Sequence, residues 1–561
     1  MHPGQGYWGT RGAAPEAADD DVHYPGTYLA GVYNRVPSDL ADRTVETEHL
    51  VNAPNWIPVQ VRIGDDPWLT AATAELLTYH QQLDLRRGVL TRTVRYRDTA
   101  GRTTRITSTR LVSQAAVHLA AQQTTVAAQD WTGTLTVRAA LDARVRNHNV
   151  IDDRRLTDRH LVPLGEQAVD AETVLLEVAT SASQVRIAMA ARTRVHRDGG
   201  GTDPGVRRLV TEPGLVAHEF DLAITPGRSV TVEKVVAVAT SRDRAQSTPA
   251  LGARAHLARA PDIPGLLTAH ERAWQRLWER FGLDVAAGER QALTLNLHVF
   301  HVLQTVSGAG PDLDAGVPAR GLHGEGYRGH VFWDELFVYP MLTLRRPELT
   351  RDLLRYRYRR LDQARGAARD AGHPGAMFPW QSGSDGREET PTELWNPHAG
   401  AWMPDNSRRQ RHVGLAVAYS VWQYYQATDD LAYLIEEGAE LLVEVARYFT
   451  SLTSYDPGTD RYDITGVMGP DEFHDGYPDA PGHGLQTNAY TNVLTAWTLR
   501  RALDTVYLLQ GHDCDPLWDR LALAPGETEH WDQIRARLRV AFHADGVISQ
   551  FAGYERLPEL D

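Results

Sequence analysis

The stretch Gly469-Pro470-Asp471-Glu472-Phe473-His474 places a glutamate in a turn-rich loop. A carboxylic acid held beside a glycosidic oxygen can supply the proton that this poor leaving group needs, an effect of roughly 10²–10⁴-fold. The residues before it, Gly466-Val467-Met468-Gly469-Pro470, are rigid and apolar, and an apolar wall favours the neutral carboxyl. Glu472 is therefore a candidate catalytic acid, although Asp471 and Glu472 would read the same if they only capped the next turn. Phe332-Trp333-Asp334 offers the two groups sugar sites use. These are an aromatic face for C–H bonds and a carboxylate that accepts hydroxyl hydrogens. A helix N-terminus with an acidic first turn would give the same letters. Trp380 and Gln381, in Phe378-Pro379-Trp380-Gln381-Ser382, are of the same type and carry the same alternative.

Other patterns exclude more than they suggest. Gly324, Gly326 and Gly329 spell a dinucleotide fingerprint, but no apolar strand precedes them and no alternating β/α pattern surrounds them, so a flexible loop is expected. His298, His301, His323, His330, His474 and His483 show no metal spacing with a carboxylate partner, and no metal is expected. Cys514 is the only cysteine, which rules out an internal disulfide and a thiolate zinc cluster. A net charge of -14 argues against nucleic acid as a partner. No apolar run reaches the about 18 residues of a membrane helix, so no membrane partner is expected. The start, Met1-His2-Pro3-Gly4-Gln5-Gly6, lacks a basic and then apolar signal, and a cytoplasmic location is expected. Lys234 is the only lysine, and arginine carries nearly all the positive charge, a compositional bias rather than a functional mark.

The elements that must position these residues fall into an α+β multidomain pattern, since 561 residues exceed one ordinary core. Residues 1–24, rich in Gly, Ala and Asp, are expected to be disordered. Residues 25–250 read as strands: Leu135, Val137, Ala139 and Leu141 alternate with polar residues, as do Val94 and Tyr96 and the run from Val230 to Val236. Many such strands predict a β-sandwich. Residues 251–287, with Leu266, Trp274, Leu277 and Trp278 at helical spacing, predict a helical linker. From 288 to 561 helices dominate. One long Arg-rich helix is expected over residues 347–370, and a helical pair over 407–426, with Ser407 as N-cap, and 430–450. Two more are expected over 488–509 and 527–541.

Taken together, the motifs resemble glycoside hydrolase family sixty-five, the maltose, trehalose and kojibiose phosphorylases and their hydrolase relatives. Gly26-Thr27-Tyr28-Leu29-Ala30-Gly31-Val32-Tyr33 and Asn52-Ala53-Pro54-Asn55-Trp56-Ile57-Pro58 resemble the family's opening strands. Gly329-His330-Val331-Phe332-Trp333-Asp334 is similar to its glucose-binding motif, and Gly375 to Ser382 to its Trp-containing loop. Gly469 to His474, followed by Asn488-Ala489-Tyr490-Thr491-Asn492, is similar to its general-acid segment. The resemblance implies a β-sandwich, a helical linker and a six-hairpin α/α barrel. It implies an enzyme that cleaves the α-glucosidic bond of a disaccharide such as trehalose, maltose or kojibiose with inversion, by phosphorolysis or hydrolysis. Glu472 would be the acid, and Trp333, Asp334, His330, Trp380, Gln381, His474 and Asn488 would bind substrate. No cofactor is implied; inorganic phosphate would be co-substrate in a phosphorylase.

Two departures lie beside the expected glucose site and leave the disaccharide open. The run Glu335-Leu336-Phe337-Val338-Tyr339-Pro340 is one residue shorter than in the phosphorylases, and Thr487 stands where Asn is common. About seven helices are expected after 288, where a closed barrel needs twelve. The barrel is expected to be incomplete at the C-terminus, with an apolar helix face left exposed. A later Lys-Gln pair, the phosphate loop and the hydrolase base would lie beyond Asp561. A fragment of a longer protein and a truncated gene product both fit. The rival reading is a non-catalytic sugar-binding protein or an inactive family member. The resemblance also allows a homodimer and a fused or partner phosphoglucomutase-like domain.

Overall fold

The computed structural model describes residues 2–17, 19–20, 23–198, 200, 206–286, 288–308 and 310–557. They form two compact units, residues 1–313 with 320–329, and residues 314–319 with 330–561. The helix at 289–306 thus groups with the first unit, although its sequence reads as the start of the helical region.

The first unit is built on alternation. An eight-stranded antiparallel sheet runs from an edge strand at Leu161–Ala168 to an edge strand at Glu75–Asp84, with the strand Ser229–Thr240 near its middle. A four-stranded antiparallel sheet includes Val59–Ile63, Gly133–Asp142 and Leu215–Ile224. Val61, Val137 and Phe220 of the smaller sheet share a buried cluster with Val94, Val126 and Val232 of the larger, which makes a sandwich. On the strand Ser229–Thr240 the odd residues Val235, Ala237 and Ala239 point the other way, onto Ala253 and Leu257. Those two belong to α1, Pro249–Arg259, which is capped by the Thr248 hydroxyl and followed by α2, Ile263–Phe281, capped by Asp262 at 2.9 Å from the Gly265 N–H. The helix at 289–306 is α3, Glu289–Val306.

The described part of residues 1–24 is not disordered. Trp8 is fully buried, and Trp8–Thr10 pairs antiparallel with Thr27–Leu40. The Gly/Ala/Asp composition suggests a tail, but Trp8 supplies an apolar anchor against Trp56, 5.8 Å away. Nor is the loop around Gly329 free. That glycine has φ 71° and lies so near Leu50 that a Cβ would come within 2.4 Å of the Leu50 Cβ.

The second unit is helical. It contains α4 (Glu335–Arg345), α5 (Pro347–Tyr358), α6 (Leu361–Asp370), α7 (Val413–Thr428), a short α8 (Leu431–Tyr433), α9 (Ala439–Ser451), α10 (Ala489–Leu509), α11 (Asp515–Leu521) and α12 (Glu527–Arg537). The expected single helix over 347–370 is two. Arg360 leaves helical geometry at φ -108°, ψ 11°, because its guanidinium is drawn to Asp314 and the Ser384 carbonyl. Ser407 caps no long helix: Ser407–Arg409 is one 3₁₀ turn and α7 begins at Val413. Between α8 and α9 the chain passes through a π-turn at Leu434–Gly438. Phe337 and Leu344 on α4 and Val493 and Tyr507 on α10 are exposed.

Candidate active site

The two aromatic motifs meet across one isolated bridge. Val331 and Ser382 exchange backbone hydrogen bonds of 2.9 and 3.0 Å, which sets Phe332-Trp333-Asp334 beside Trp380-Gln381. Next to the bridge, the His330 ring Nδ1 lies 3.0 Å from the Gln381 Oε1. Each motif has its own clamp. Glu388 accepts the backbone N–H groups of Trp380 and Gln381 at 2.9 and 3.2 Å. On the other side, Arg357 donates to the Phe332 carbonyl at 2.7 Å and to the Glu335 carboxylate at 2.9 Å, with both side chains buried. Asp334 occupies the N-cap position of α4, as the helix-terminus alternative anticipates, but its side chain makes no capping bond.

Trp333 and Trp380 converge on His412, with ring centroids 4.7 and 5.4 Å from the imidazole in edge-to-face geometry. Tyr490, at the start of α10, closes the group at 5.7 Å from His412 and 5.9 Å from Trp333. His412 is fully buried, and burial pushes its pKa down to about 4, so a neutral imidazole stands among the rings. Gln410, 1% exposed, has no hydrogen-bond partner for either polar atom of its amide among the described residues. A buried amide left open in this way is unusual and suits a ligand group. Neither Gln410 nor His412 is apparent from the sequence. The only signal is a run of three polar residues, Gln410-Arg411-His412, immediately before the apolar face of α7.

The loop that carries Glu472 reaches this cluster through its backbone. The Met468 N–H donates to the Arg409 carbonyl at 3.0 Å, joining the end of the strand Arg461–Val467 to the turn before His412. Val467 and Met468 are buried, but Glu472 itself is exposed rather than walled in. Its backbone sits at φ 62°, a region non-glycine residues enter at a cost of order 1–3 kcal/mol. Asp471 makes the local bond: its Oδ2 lies 2.6 Å from the His474 Nδ1, and the His474 ring packs 5.2 Å from Phe551. Asn488 caps α10, its Oδ1 accepting from the Thr491 N–H at 3.0 Å, while its amide nitrogen crowds Gly469 at the base of the Glu472 loop. All eight sequence-predicted site residues therefore lie in the second unit. Trp333, Trp380, His330 and Gln381 touch directly or through His412. Glu472, His474 and Asn488 form a neighbouring loop group.

The arrangement groups aromatic edges with amide, imidazole and carboxylate side chains, the residue types that sugar-binding sites use. The sequence profile of the glycosyl hydrolase family 65 N-terminal domain matches residues 1–277, and that of the family 65 central catalytic domain matches residues 296–561. A Mycobacterium tuberculosis protein described as an uncharacterized glycosyl hydrolase is 48% identical over 100% of this chain and 42% of the relative. The trehalose 6-phosphate phosphorylase of Lactococcus lactis subsp. lactis is 32% identical over 100% of this chain and 69% of the relative. A solved structure described as a putative kojibiose phosphorylase from the human microbiome superposes with a TM-score of 0.84 at 19% identity, over 100% of this chain and 70% of that one. The chain thus spans less than half the length of the mycobacterial relative. This chain belongs to glycosyl hydrolase family 65.

Proposed function

We propose that this chain carries the glucose-binding and acid-bearing part of an enzyme that cleaves the α-glucosidic bond of a disaccharide with inversion. Glu472 protonates the leaving oxygen. Trp333, Asp334, His330, Trp380 and Gln381 hold the glucosyl unit, with His474 and Asn488 shaping the acid loop. The observation that carries this reading is the Val331–Ser382 bridge, which brings both aromatic motifs onto one buried imidazole. The sandwich of residues 25–250 serves as support, residues 251–287 as linker, and the helical second unit, residues 314–319 with 330–561, as part of a six-hairpin α/α barrel.

Phosphorolysis is favoured over hydrolysis, because the Lactococcus relative and the solved neighbour are both described as phosphorylases. Phosphate is already anionic and attacks without a base, so one acid suffices; a hydrolase needs a second carboxylate for water. The test is incubation of the full gene product with trehalose, maltose and kojibiose, with and without phosphate. Glucose 1-phosphate formed only with phosphate supports phosphorolysis. Glucose formed without phosphate indicates hydrolysis. Binding of a disaccharide with no turnover in either arm would replace the enzyme reading with a sugar-binding one.

A further inference from the structure

The first unit gathers three histidines from distant parts of the chain. His2 comes from the N-terminal turn, His301 from α3, and His323 from the loop after it. The His301 Nδ1 and the His2 Nε2 are 3.2 Å apart. The His2 ring stacks on His323 at 3.7 Å and on His301 at 4.8 Å between centroids. One ring nitrogen from each lies within 4.8 Å of the other two.

The surroundings hold this group in place. The Gln304 side-chain amide donates to the His2 carbonyl. The Arg11 guanidinium donates to the His323 carbonyl at 2.9 Å. Gly321, at φ 66°, leaves the space the His323 ring fills, since a Cβ there would come within 2.6 Å of the His323 Cε1. An imidazole binds a metal through the lone pair of a ring nitrogen, and each of the three rings offers one to the cluster. His2 and His323 also line a cavity of about 600 Å³, which leaves room for water or an anion at a fourth position.

We propose that His2, His301 and His323 form a binding site for a divalent first-row transition metal, with zinc as the best match. Neutral imidazoles without thiolate or carboxylate suit Zn²⁺, Co²⁺ and Ni²⁺ rather than Mg²⁺ or Ca²⁺. A tetrahedral site with about 2.0 Å Zn–N bonds needs nitrogens about 3.3 Å apart. The closest pair already meets that spacing, and metal entry would have to separate the stacked His2 and His323 rings so that their in-plane lone pairs converge. The positive charge of Arg11 nearby makes the site weaker than a thiolate zinc centre. It also suits an anionic fourth ligand. The site lies among sandwich-unit elements and uses none of the residues assigned to glucoside cleavage, so it stands or falls independently of that assignment.

The test is equilibrium dialysis of untagged protein against Zn²⁺ alone, followed by metal analysis. The expected result is one equivalent bound in the micromolar range, weakened at least tenfold in His301→Gln and in His323→Gln. His256→Gln, in a stacked His pair elsewhere in the unit, should bind as the parent does. Circular dichroism checks that each variant is folded. Should both site variants unfold, diethyl pyrocarbonate labelling of the parent decides: Zn²⁺ should protect His301 and His323. No binding at 100 µM Zn²⁺, binding indifferent to both substitutions, or no protection would overturn the site.

Discussion

The Glu335–Arg357 pair is the point at which stability and the candidate site are coupled. Both side chains are almost fully buried, with Arg357 1% exposed. Arg357 donates to the Glu335 Oε2 at 2.9 Å and to the Phe332 carbonyl at 2.7 Å, and the Tyr339 hydroxyl donates to the Glu335 Oε1 at 3.1 Å. Glu335→Gln keeps the shape and an acceptor for Tyr339 but leaves the guanidinium without its counter-charge. Loss of one partner from a buried pair costs about 3–5 kcal/mol. Glu335→Leu with Arg357→Met removes both charges, and the remaining losses are the Phe332 carbonyl left without a donor and the Tyr339 hydroxyl left without an acceptor, about 1–3 kcal/mol each. Urea unfolding followed by circular dichroism, on this double variant and on Glu335→Leu and Arg357→Met singly, gives the double-mutant cycle. The expected outcome is a double variant more stable than either single one. The Trp333 turn should loosen in the single variants, so sugar affinity of the full gene product should fall with them. A cost under about 1 kcal/mol for Glu335→Gln, or a double variant as unstable as the sum of the singles, would refute the coupling.

Two further perturbations test the first unit. Lys234 is fully buried between the sheets and donates to the carbonyls of Trp56 (2.6 Å), Pro58 (3.2 Å) and Ala140. Lys234→Met should cost about 2–4 kcal/mol in urea unfolding, because these acceptors lose their donor. A neutral or stabilising result would mean that desolvation of the amine outweighs its bonds. Glu325, bonded by Tyr24, Tyr28 and the Asn149 N–H, is pushed up to about 7 by burial. A folded pKa raised above the unfolded value means that the folded state holds the extra proton, so this stability is present below about pH 4.5 and lost as pH rises through 7. The parent should lose up to about 3 kcal/mol across that window relative to Glu325→Gln, and parallel unfolding profiles of the two would contradict it.

The sandwich was legible because alternation is written into strands such as Gly133–Asp142 and Ser229–Thr240, where one face meets the other sheet. The N-terminal strand was not, because its anchor is one tryptophan in a small-residue stretch. The break at Arg360 escaped because it follows from contacts with Asp314 and Ser384, far from it in the chain. Within the candidate site, Trp333 and Trp380 could be picked by residue type. Their meeting on His412 depends on the Val331–Ser382 bridge, which no local pattern encodes. Gln410 is visible only as a buried amide left open by the fold. The three histidines of the first unit sit at 2, 301 and 323, spacings that carry no metal signature until the chain is folded.

The most direct measurement is the turnover of Glu472→Gln in the full gene product, on an unactivated disaccharide and on glucosyl fluoride. Glutamine keeps the shape of the side chain but cannot donate a proton, so the leaving sugar would have to depart as an alkoxide. Turnover of the disaccharide should fall about 10²–10⁴-fold with sugar binding largely kept. Glucosyl fluoride needs no protonation and should recover much of the rate. Asp334→Asn, by contrast, should weaken binding and turnover together. Near-normal turnover of the disaccharide by Glu472→Gln would assign the acid to another residue and contradict the account.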